Sequence, residues 1–252
     1  MTFQILISTL NGMFLNRSII VLSKYILINQ SKERLLPNKN NNIYNFNERG
    51  LSKSRNRAIE IADADICLIS DDDLDYSAEI EQLITDAFKK NSDADIITFQ
   101  IKTPDGKMYK NYKPNAFWHT KKTLMRVSSV EIAFRLKSIH DGGLKFDEYF
   151  GLGAEFPTGE EIIFLTDALK KKLKILYIPI PIVIHPIESS GKNYDNITLI
   201  KAKGAMFYRI FGNIGYIISV LFAYKKYKYS IFSLKYFIVL MFKGIKNYRS
   251  TQ

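Results

Sequence analysis

The sequence predicts an α/β fold, a mainly parallel sheet flanked by helices, followed by a C-terminal helical tail suited to a membrane surface. Three observations carry this. Short apolar runs alternate with helix-patterned segments as far as about residue 101, the signature of parallel strands joined by crossover helices, and the pattern loosens from 107. Several of these runs end in polar side chains, and ligands of open α/β sheets gather at the carboxyl ends of strands. Charge is also partitioned. Residues 201–252 hold ten Lys/Arg and no Asp or Glu, so of the net +11 carried by the 252 residues almost all belongs to the tail, and residues 1–200 hold 26 basic and 25 acidic side chains. The expected organisation is one domain over 1–200 and a basic, apolar helical tail over 201–252.

Phe3 to Thr9 reads as a first buried strand, closed by an Asn11-Gly12 turn. Residues 13–22 have apolar positions compatible with a helix. Tyr25 to Gln30 is a second strand, 37–42 a polar loop and Ile43 to Phe46 a short third strand. Gly50-Leu51-Ser52 opens a helix to about Ala62 with Ser52 as the expected N-cap. Ile66 to Ser70 is the key strand, running straight into Asp71-Asp72-Asp73. A helix over about 78–90, a strand over 96–101 and a Pro104-Asp105-Gly106 turn follow. Ser129 to Lys137 is expected as a short helix, 150–154 as a glycine-punctuated loop, 158–172 as a helix, and 175–185 as a strand pair broken by Pro179 and Pro181. In the tail, 205–224 and 231–242 are apolar runs. A spanning helix needs about 20 apolar residues; the first run barely qualifies and the second is too short. Two amphipathic helices lying on anionic lipid through about 205–245 are one reading, and a pair of core helices closing the sheet is the other.

The chemistry-bearing residues cluster at strand ends. Ser8-Thr9 with Asn11, Asn29-Gln30, Asp71 to Asp73, and His185 would share one edge of the sheet. Three adjacent carboxylates repel one another, and Mg²⁺ or Mn²⁺, which takes hard oxygen ligands, would neutralise them; a solvated acidic turn is the plain alternative. Arg55 and Asn56 lie in the first turns of a helix, where phosphate is favoured, or on a solvated face. Thr158-Gly159-Glu160-Glu161 fits a capping box and equally places two carboxylates beside a glycine-rich loop, where one could act as a general base. His185 is a structural histidine, or a metal ligand if the aspartates bind metal nearby.

The stretch from Glu48 to Asn56, Asp65 to Asp73, Phe150-Gly151-Leu152-Gly153-Ala154 leading to Gly159-Glu160-Glu161, and Tyr177-Ile178-Pro179 leading to His185-Pro186 together resemble family 2 glycosyltransferases of the GT-A fold, over about residues 3–190. The resemblance implies a catalytic domain with a nucleotide-sugar donor, usually a UDP-sugar, and a divalent metal, Mn²⁺ or Mg²⁺. Asp71 and Asp73 match the DxD carboxylates, Asp71 by the ribose and metal and Asp73 on the metal, with His185 as a further ligand. Thr9 and Gln30 match positions lining the nucleoside pocket, although many relatives carry Asp where Gln30 stands; Asn11, Arg55 and Asp72 complete the candidate donor contacts. Glu161 matches the usual base of a Glu-Asp motif, here Glu-Glu, which leaves Glu160 as the other candidate. The implied reaction is an inverting displacement at the anomeric carbon. The Gln-x-x-Arg-Trp motif of processive synthases is absent, since Trp118 follows Asn115-Ala116-Phe117, so a single sugar addition is expected. The tail suggests a lipid-linked saccharide acceptor, as in bacterial surface-polysaccharide assembly.

A single cysteine, Cys67, allows no internal disulfide, and the first residues lack a basic leader segment; both fit a cytoplasmic enzyme peripheral to the inner face of the membrane. Other classes fit less well. A sugar nucleotidyltransferase would open with an Arg-containing glycine-rich loop, which Ser8-Thr9-Leu10-Asn11-Gly12 is not. A nucleic-acid binder would carry a basic surface poorer in Ile, Leu and Val, so no nucleic-acid partner is expected. A transferase-like protein that binds without turnover remains compatible with the Glu-Glu substitution.

Overall fold

A computed structural model describes residues 1–12, 24–37, 42–185 and 193–252. The helix expected over 13–22, most of the 37–42 loop and Pro186 lie outside the described residues. The chain divides into two compact units. The first comprises 1–49, 53–145 and 164–187; the second comprises 50–52, 146–163 and 188–252.

The first unit contains the sheet. Its strands are β1 (Phe3–Leu10), β2 (Tyr25–Gln30), β3 (Ile43–Phe46), β4 (Ile66–Asp71), β5 (Asp75–Tyr76), β6 (Ile96–Lys102), β7 (Phe117–Trp118), β8 (Ile132–Arg135) and β9 (Ile175–Ile184). Among the described residues their order is β3-β2-β1-β4-β8-β6-β9-β5, with β7 beside β9. The long ladders β2–β1, β1–β4 and β6–β9 are parallel; β8, β5 and β7 add short antiparallel pairings. The central strands are covered on both faces, which is why they read as unbroken apolar runs rather than alternating ones: Ile5, Leu6, Ile7, Ile66, Cys67, Leu68 and Ile69 are all buried. Burial pushes the Cys67 thiol up to about 12, so it behaves as a small core hydrophobe. Helix α1 (Leu51–Ile61) leads into β4, and α2 (Ile80–Lys90) packs Ile80, Ile84 and Phe88 into the core cluster with Ile5, Leu68 and Phe99; two short helices, α3 (Lys121–Leu124) and α4 (Leu136–Asp141), precede and follow β8.

Three expectations change. The segment 129–137 is not a helix: a 3₁₀ turn over Ser129–Glu131 leads into β8, which fills the gap between β4 and β6. A short apolar run such as Ile132-Ala133-Phe134 does not reveal its periodicity; the vacant sheet position decides it. Next, 175–184 is one strand, and register shifts against β6 absorb Pro179 and Pro181. Finally, α1 begins before Ser52, whose hydroxyl donates to the Phe150 carbonyl at 2.6 Å instead of capping.

In the region after residue 107, a buried carboxylate takes over from apolar packing. Glu131 accepts from Tyr112, from Lys110 at 2.9 Å and from the Ser128 backbone N–H at 2.9 Å. Burial raises its pKa, and the Lys110 ammonium opposes that. Such a paired buried charge ties the 107–118 excursion to the start of β8.

The second unit is helical, with α5 (Glu160–Lys170) beginning in it. Its other helices are α6 (Ile197–Phe211), α7 (Ile214–Lys226) and α8 (Leu234–Arg249). The tail therefore has one more helix than expected, because the apolar run over 205–224 is broken at Gly212 (φ 59°), which ends α6 before α7 begins. Asn196 caps α6, accepting from the N–H groups of Thr198 and Leu199. Helices α6 and α8 cross at two glycines. A Cβ on Gly204 would stand 2.1 Å from the Met241 carbonyl oxygen, and one on Gly244 would stand 1.9 Å from that of Lys201. Around the crossing Tyr248 meets Phe150 and Phe156, and Arg209 pairs with Asp147 at 2.8 Å. No helix among the described residues is long and apolar enough to cross a membrane.

The crossing gives a direct test. In Gly244→Ala the methyl group meets backbone, so the helices must part. Overpacking of this kind costs about 1–3 kcal/mol, and thermal unfolding of the variant should show a lower Tm than wild type; an unchanged Tm would mean that the crossing is looser than described.

Candidate functional site

The parallel register of three strands assembles the first group of site residues. Ser8 lies opposite Asp71 across the β1–β4 ladder, and Thr9 and Leu10 lie opposite Asn29 and Gln30 across β1–β2. Ser8, Thr9, Asn29, Gln30 and Asp71 thus stand at one edge, at the carboxyl ends of adjacent strands. The chain leaves that edge at Asn11 and Gly12, both at positive φ (59° and 58°), and the Asn11 N–H donates to the Gln30 carbonyl at 3.2 Å. Asn29 is fully buried and donates to the Arg34 carbonyl and to Asn45 Oδ1, each at 2.8 Å.

Side chains knit this edge together. The Thr9 hydroxyl donates to the Asp72 carboxylate. Ser54, on α1, donates to the Ser8 hydroxyl at 2.8 Å. Arg55 is 2% exposed and donates to Asp71 Oδ1 at 3.1 Å, which excludes the solvated-face reading. A guanidinium this deep is costly unless paired, and loss of one partner of a buried pair typically costs about 3–5 kcal/mol. Arg55 therefore fixes where Asp71 points. Tyr76 donates to Ser70 Oγ at 2.7 Å, and Ser70 donates to the Asp71 carbonyl at 2.8 Å. Asp73, last of the three, is exposed.

Burial raises the pKa of Asp72 most, its bond from Thr9 opposes that, and the neighbouring Asp73 and Asp71 charges raise it further. The acidic turn is thus a site of electrostatic strain that a cation or a proton relieves.

His185 adjoins the same turn. Asp75 and Tyr76 pair antiparallel with Ile184 and Val183, which puts the end of β9 beside the residues that follow Asp73. The His185 N–H donates to the Lys102 carbonyl at 2.9 Å, and its ring meets that of Tyr109 edge-on at 5.6 Å. Among the described residues no three His, Cys, Asp or Glu side chains form a ready-made metal cluster. Asp71 and Asp73 nevertheless offer the hard oxygens that suit Mg²⁺ or Mn²⁺, ions that are usually held by one or two carboxylates together with substrate phosphates and water.

The second group lies in the second unit. The Phe150 to Gly153 loop is fastened to the start of α1 by the Leu51 N–H donating to the Leu152 carbonyl at 2.8 Å and by the Ser52 bond to Phe150. Gly151 has φ 102°, and a Cβ there would stand 3.1 Å from the Ser52 hydroxyl oxygen and 3.3 Å from the Glu160 carboxyl carbon. Gly159, at φ 96°, turns the chain into α5 where a Cβ would meet the Met206 sulfur at 2.5 Å. These constraints set Glu160 and Glu161 in the first turn of α5, with Glu160 buried at 6% exposure and Glu161 half-buried. Lys203, on α6, is the residue that sequence reasoning missed. Burial lowers its pKa, and the Glu161 and Glu160 carboxylates oppose that. Nothing in the sequence marks it, because a lysine in a basic tail reads as solvated.

No protein family and no curated protein matches the chain by sequence. Solved structures do match in fold. S. aureus TarS superposes with a TM-score of 0.59 at 13% identity over 92% of this chain, which spans 44% of the TarS chain. TarS 1–349 in complex with UDP-GlcNAc gives 0.61 at 13% identity over 91% of this chain and 74% of that one. TarS 1–349 in complex with UDP gives 0.58 at 14% identity, over 90% and 72%. The chain has a GT-A-like fold. In that GT-A-like framework the polar strand ends of β1, β2 and β4 occupy the edge at which open α/β sheets take ligands.

The strain on Asp72 makes a prediction with a defined sign. A carboxyl whose folded pKa is raised keeps its proton after the unfolded chain has released it, so stability falls as pH rises through the ordinary carboxylate range. Asp72→Asn keeps an acceptor for Thr9 and removes the charge. It should unfold at a higher temperature than wild type at neutral pH, and the gain should vanish in acid below that range. A variant less stable than wild type at neutral pH would show that the ionised carboxylate is favourable where it stands.

Proposed function

We propose that this protein is a nucleotide-sugar glycosyltransferase that moves one sugar from a UDP-sugar to an acceptor hydroxyl with inversion. The observation that carries the reading is the register that gathers Thr9, Gln30 and Asp71 to Asp73 at one sheet edge, within a fold shared with structures solved with UDP-GlcNAc and UDP. A nucleoside and a diphosphate need what that edge offers, polar strand ends and a carboxylate turn. In our reading Thr9, Asn11 and Gln30 meet the nucleoside, Arg55 holds Asp71 in place for the ribose side, and Asp72 supports Thr9. Asp71 and Asp73, with His185 adjoining, are the residues that would hold a divalent cation. Such an ion, when bound, offsets the charge gathering on the diphosphate as it leaves.

The proton balance assigns the acids. The acceptor hydroxyl gives its proton to the base as its oxygen forms the new bond to the anomeric carbon, and the bond from that carbon to the diphosphate breaks, releasing UDP. A base must reach the proton it takes. Glu161 is half-buried whereas Glu160 is buried beside Gly151, so Glu161 is the proposed base and Glu160 its support, with the Lys203 ammonium coupled to the pair. The basic tail and the apolar surface of its helices support a lipid-linked saccharide as acceptor and a working place at the cytoplasmic face of a bacterial membrane. The absence of the processive motif supports one addition per encounter.

Calorimetric titration with UDP, with and without Mn²⁺, tests the donor side. Wild type should bind UDP in a Mn²⁺-dependent manner, and Asp73→Ala should lose that dependence. If neither UDP nor any other nucleoside diphosphate binds wild type, the reading falls. Glu161→Gln should still bind UDP but release it from UDP-GlcNAc, with water standing in as the acceptor hydroxyl, about 10²–10⁴-fold more slowly, the usual contribution of a positioned base; unimpaired release would move the role elsewhere.

A further inference from the structure

We propose that α7 and the lysine-rich turn after it form a docking face for an anionic lipid surface. The argument stands apart from the donor reading and begins with an inversion in α7. A helix in a water-soluble unit normally turns its large apolar side chains inward. Helix α7 turns its small ones inward: Gly215, Ser219 and Ala223, four residues apart, are its buried positions. The approach is close, since a Cβ on Gly215 would stand 2.7 Å from the Phe207 backbone. Ser219 satisfies its hydroxyl within the helix by donating to the Gly215 carbonyl at 2.7 Å.

The large side chains are left outside. Ile214, Ile217, Leu221 and Tyr224 are 61%, 62%, 58% and 68% exposed. Their spacing of three, four and three residues places them on one stripe, about 15 Å long at 1.5 Å per residue. The turn that follows adds Tyr229 and Ile231, the latter 79% exposed. An exposed apolar stripe of this kind marks an interaction surface.

Charge identifies the partner. Lys225, Lys226 and Lys228 follow the stripe directly, and no acidic residue occurs anywhere in 201–252. Two of these lysines sit on tyrosine rings: Lys226 lies over Tyr194 and Tyr229, and Lys228 over Tyr229 at 5.1 Å. Aliphatic side chains beside lysine and tyrosine are the composition of a helix lying at the headgroup level of a membrane, with its apolar face just below the phosphates. A second copy of this chain would bring the same positive charge against itself. A nucleic acid would leave the aliphatic stripe in water. A helix of 13 residues, about 20 Å long, is also shorter than the roughly 30 Å hydrocarbon layer, so it lies on the surface.

The test uses the full chain and vesicle flotation, comparing phosphatidylcholine alone with phosphatidylcholine mixed with phosphatidylglycerol. Wild type should float with the anionic vesicles and less so as salt rises. Ile217→Glu/Leu221→Glu alters only exposed positions and should weaken partitioning by about tenfold or more. Lys225→Gln/Lys228→Gln should weaken it by about fivefold per lysine. Circular dichroism melts confirm that both variants fold. Failure of wild type to float with phosphatidylglycerol vesicles overturns the proposal, as does a folded Glu/Glu variant that floats like wild type. A wild-type dimer, detected by light scattering, that the Glu/Glu variant converts to monomer would reassign the stripe to self-association and likewise overturn it. UDP titration of the same samples separates the two readings: flotation without UDP binding sinks only the transferase, and UDP binding without flotation sinks the docking face and the membrane working place while leaving the donor reading standing.

Discussion

The parallel pairing of β1 between β2 and β4 is the constraint on which the first unit depends. Parallel neighbours bring their carboxyl ends to the same edge, and a slip of one residue would exchange the faces of every side chain on the strand. In the observed register Ser8 faces Asp71 and Thr9 faces Asn29. The bonds from Thr9 to Asp72 and from Arg55 to Asp71 follow from that alignment. The core defends it: Ile5, Ile7, Ile28, Leu68 and Ile69 are each at most 1% exposed, and fully burying a side chain of this size is worth about 1.5–3 kcal/mol. Burial of that core opposes the strain at Asp72 and keeps the three carboxylates together at the sheet edge. Groups held against their electrostatic preference in this way are characteristic of functional sites.

The second unit rests on a different economy. Gly204 and Gly244 let α6 and α8 approach backbone to backbone, Gly215 does the same for α7 against Phe207, and Gly159 seats the start of α5 against Met206. Close approach through glycine leaves larger side chains to be placed elsewhere. On α8 they go inward, with Phe237, Met241 and Ile245 buried. On α7 they go outward. Two helices of one tail thus pack in opposite senses, α8 with its large side chains inward and α7 with them outward.

What the sequence made legible follows the same physics. The buried strands of the first unit could be read because burial on both faces leaves a continuous apolar run, and the strand-end polar residues because they interrupt it. The aspartate turn is legible as the end of β4. The segment at β8 is not legible as a strand, because four residues carry too little periodicity and their partners, Cys67 and Ile97 among others, are distant in sequence. Ser52 resembles a cap because capping is a local habit of serine, whereas its actual acceptor, the Phe150 carbonyl, lies 98 residues away. The grouping of 50–52 and 146–163 with the C-terminal helices depends on contacts of the same long range, and Lys203 acquires its carboxylate neighbours only through that grouping.

Glu160 and Glu161 show where composition gives out and geometry begins. Adjacent and chemically identical, they are equivalent candidates in the sequence. In the structure the first is buried beside Gly151, while the second keeps part of its surface in solvent. Both feel the Lys203 ammonium, whose own charge is disfavoured by burial and sustained by the pair. A buried carboxylate is better suited to orient its neighbour, and a partly exposed one to meet an incoming hydroxyl. Gly151 leaves the room in which the buried Glu160 carboxylate sits, since a Cβ there would stand 3.1 Å from the Ser52 hydroxyl oxygen and 3.3 Å from the Glu160 carboxyl carbon.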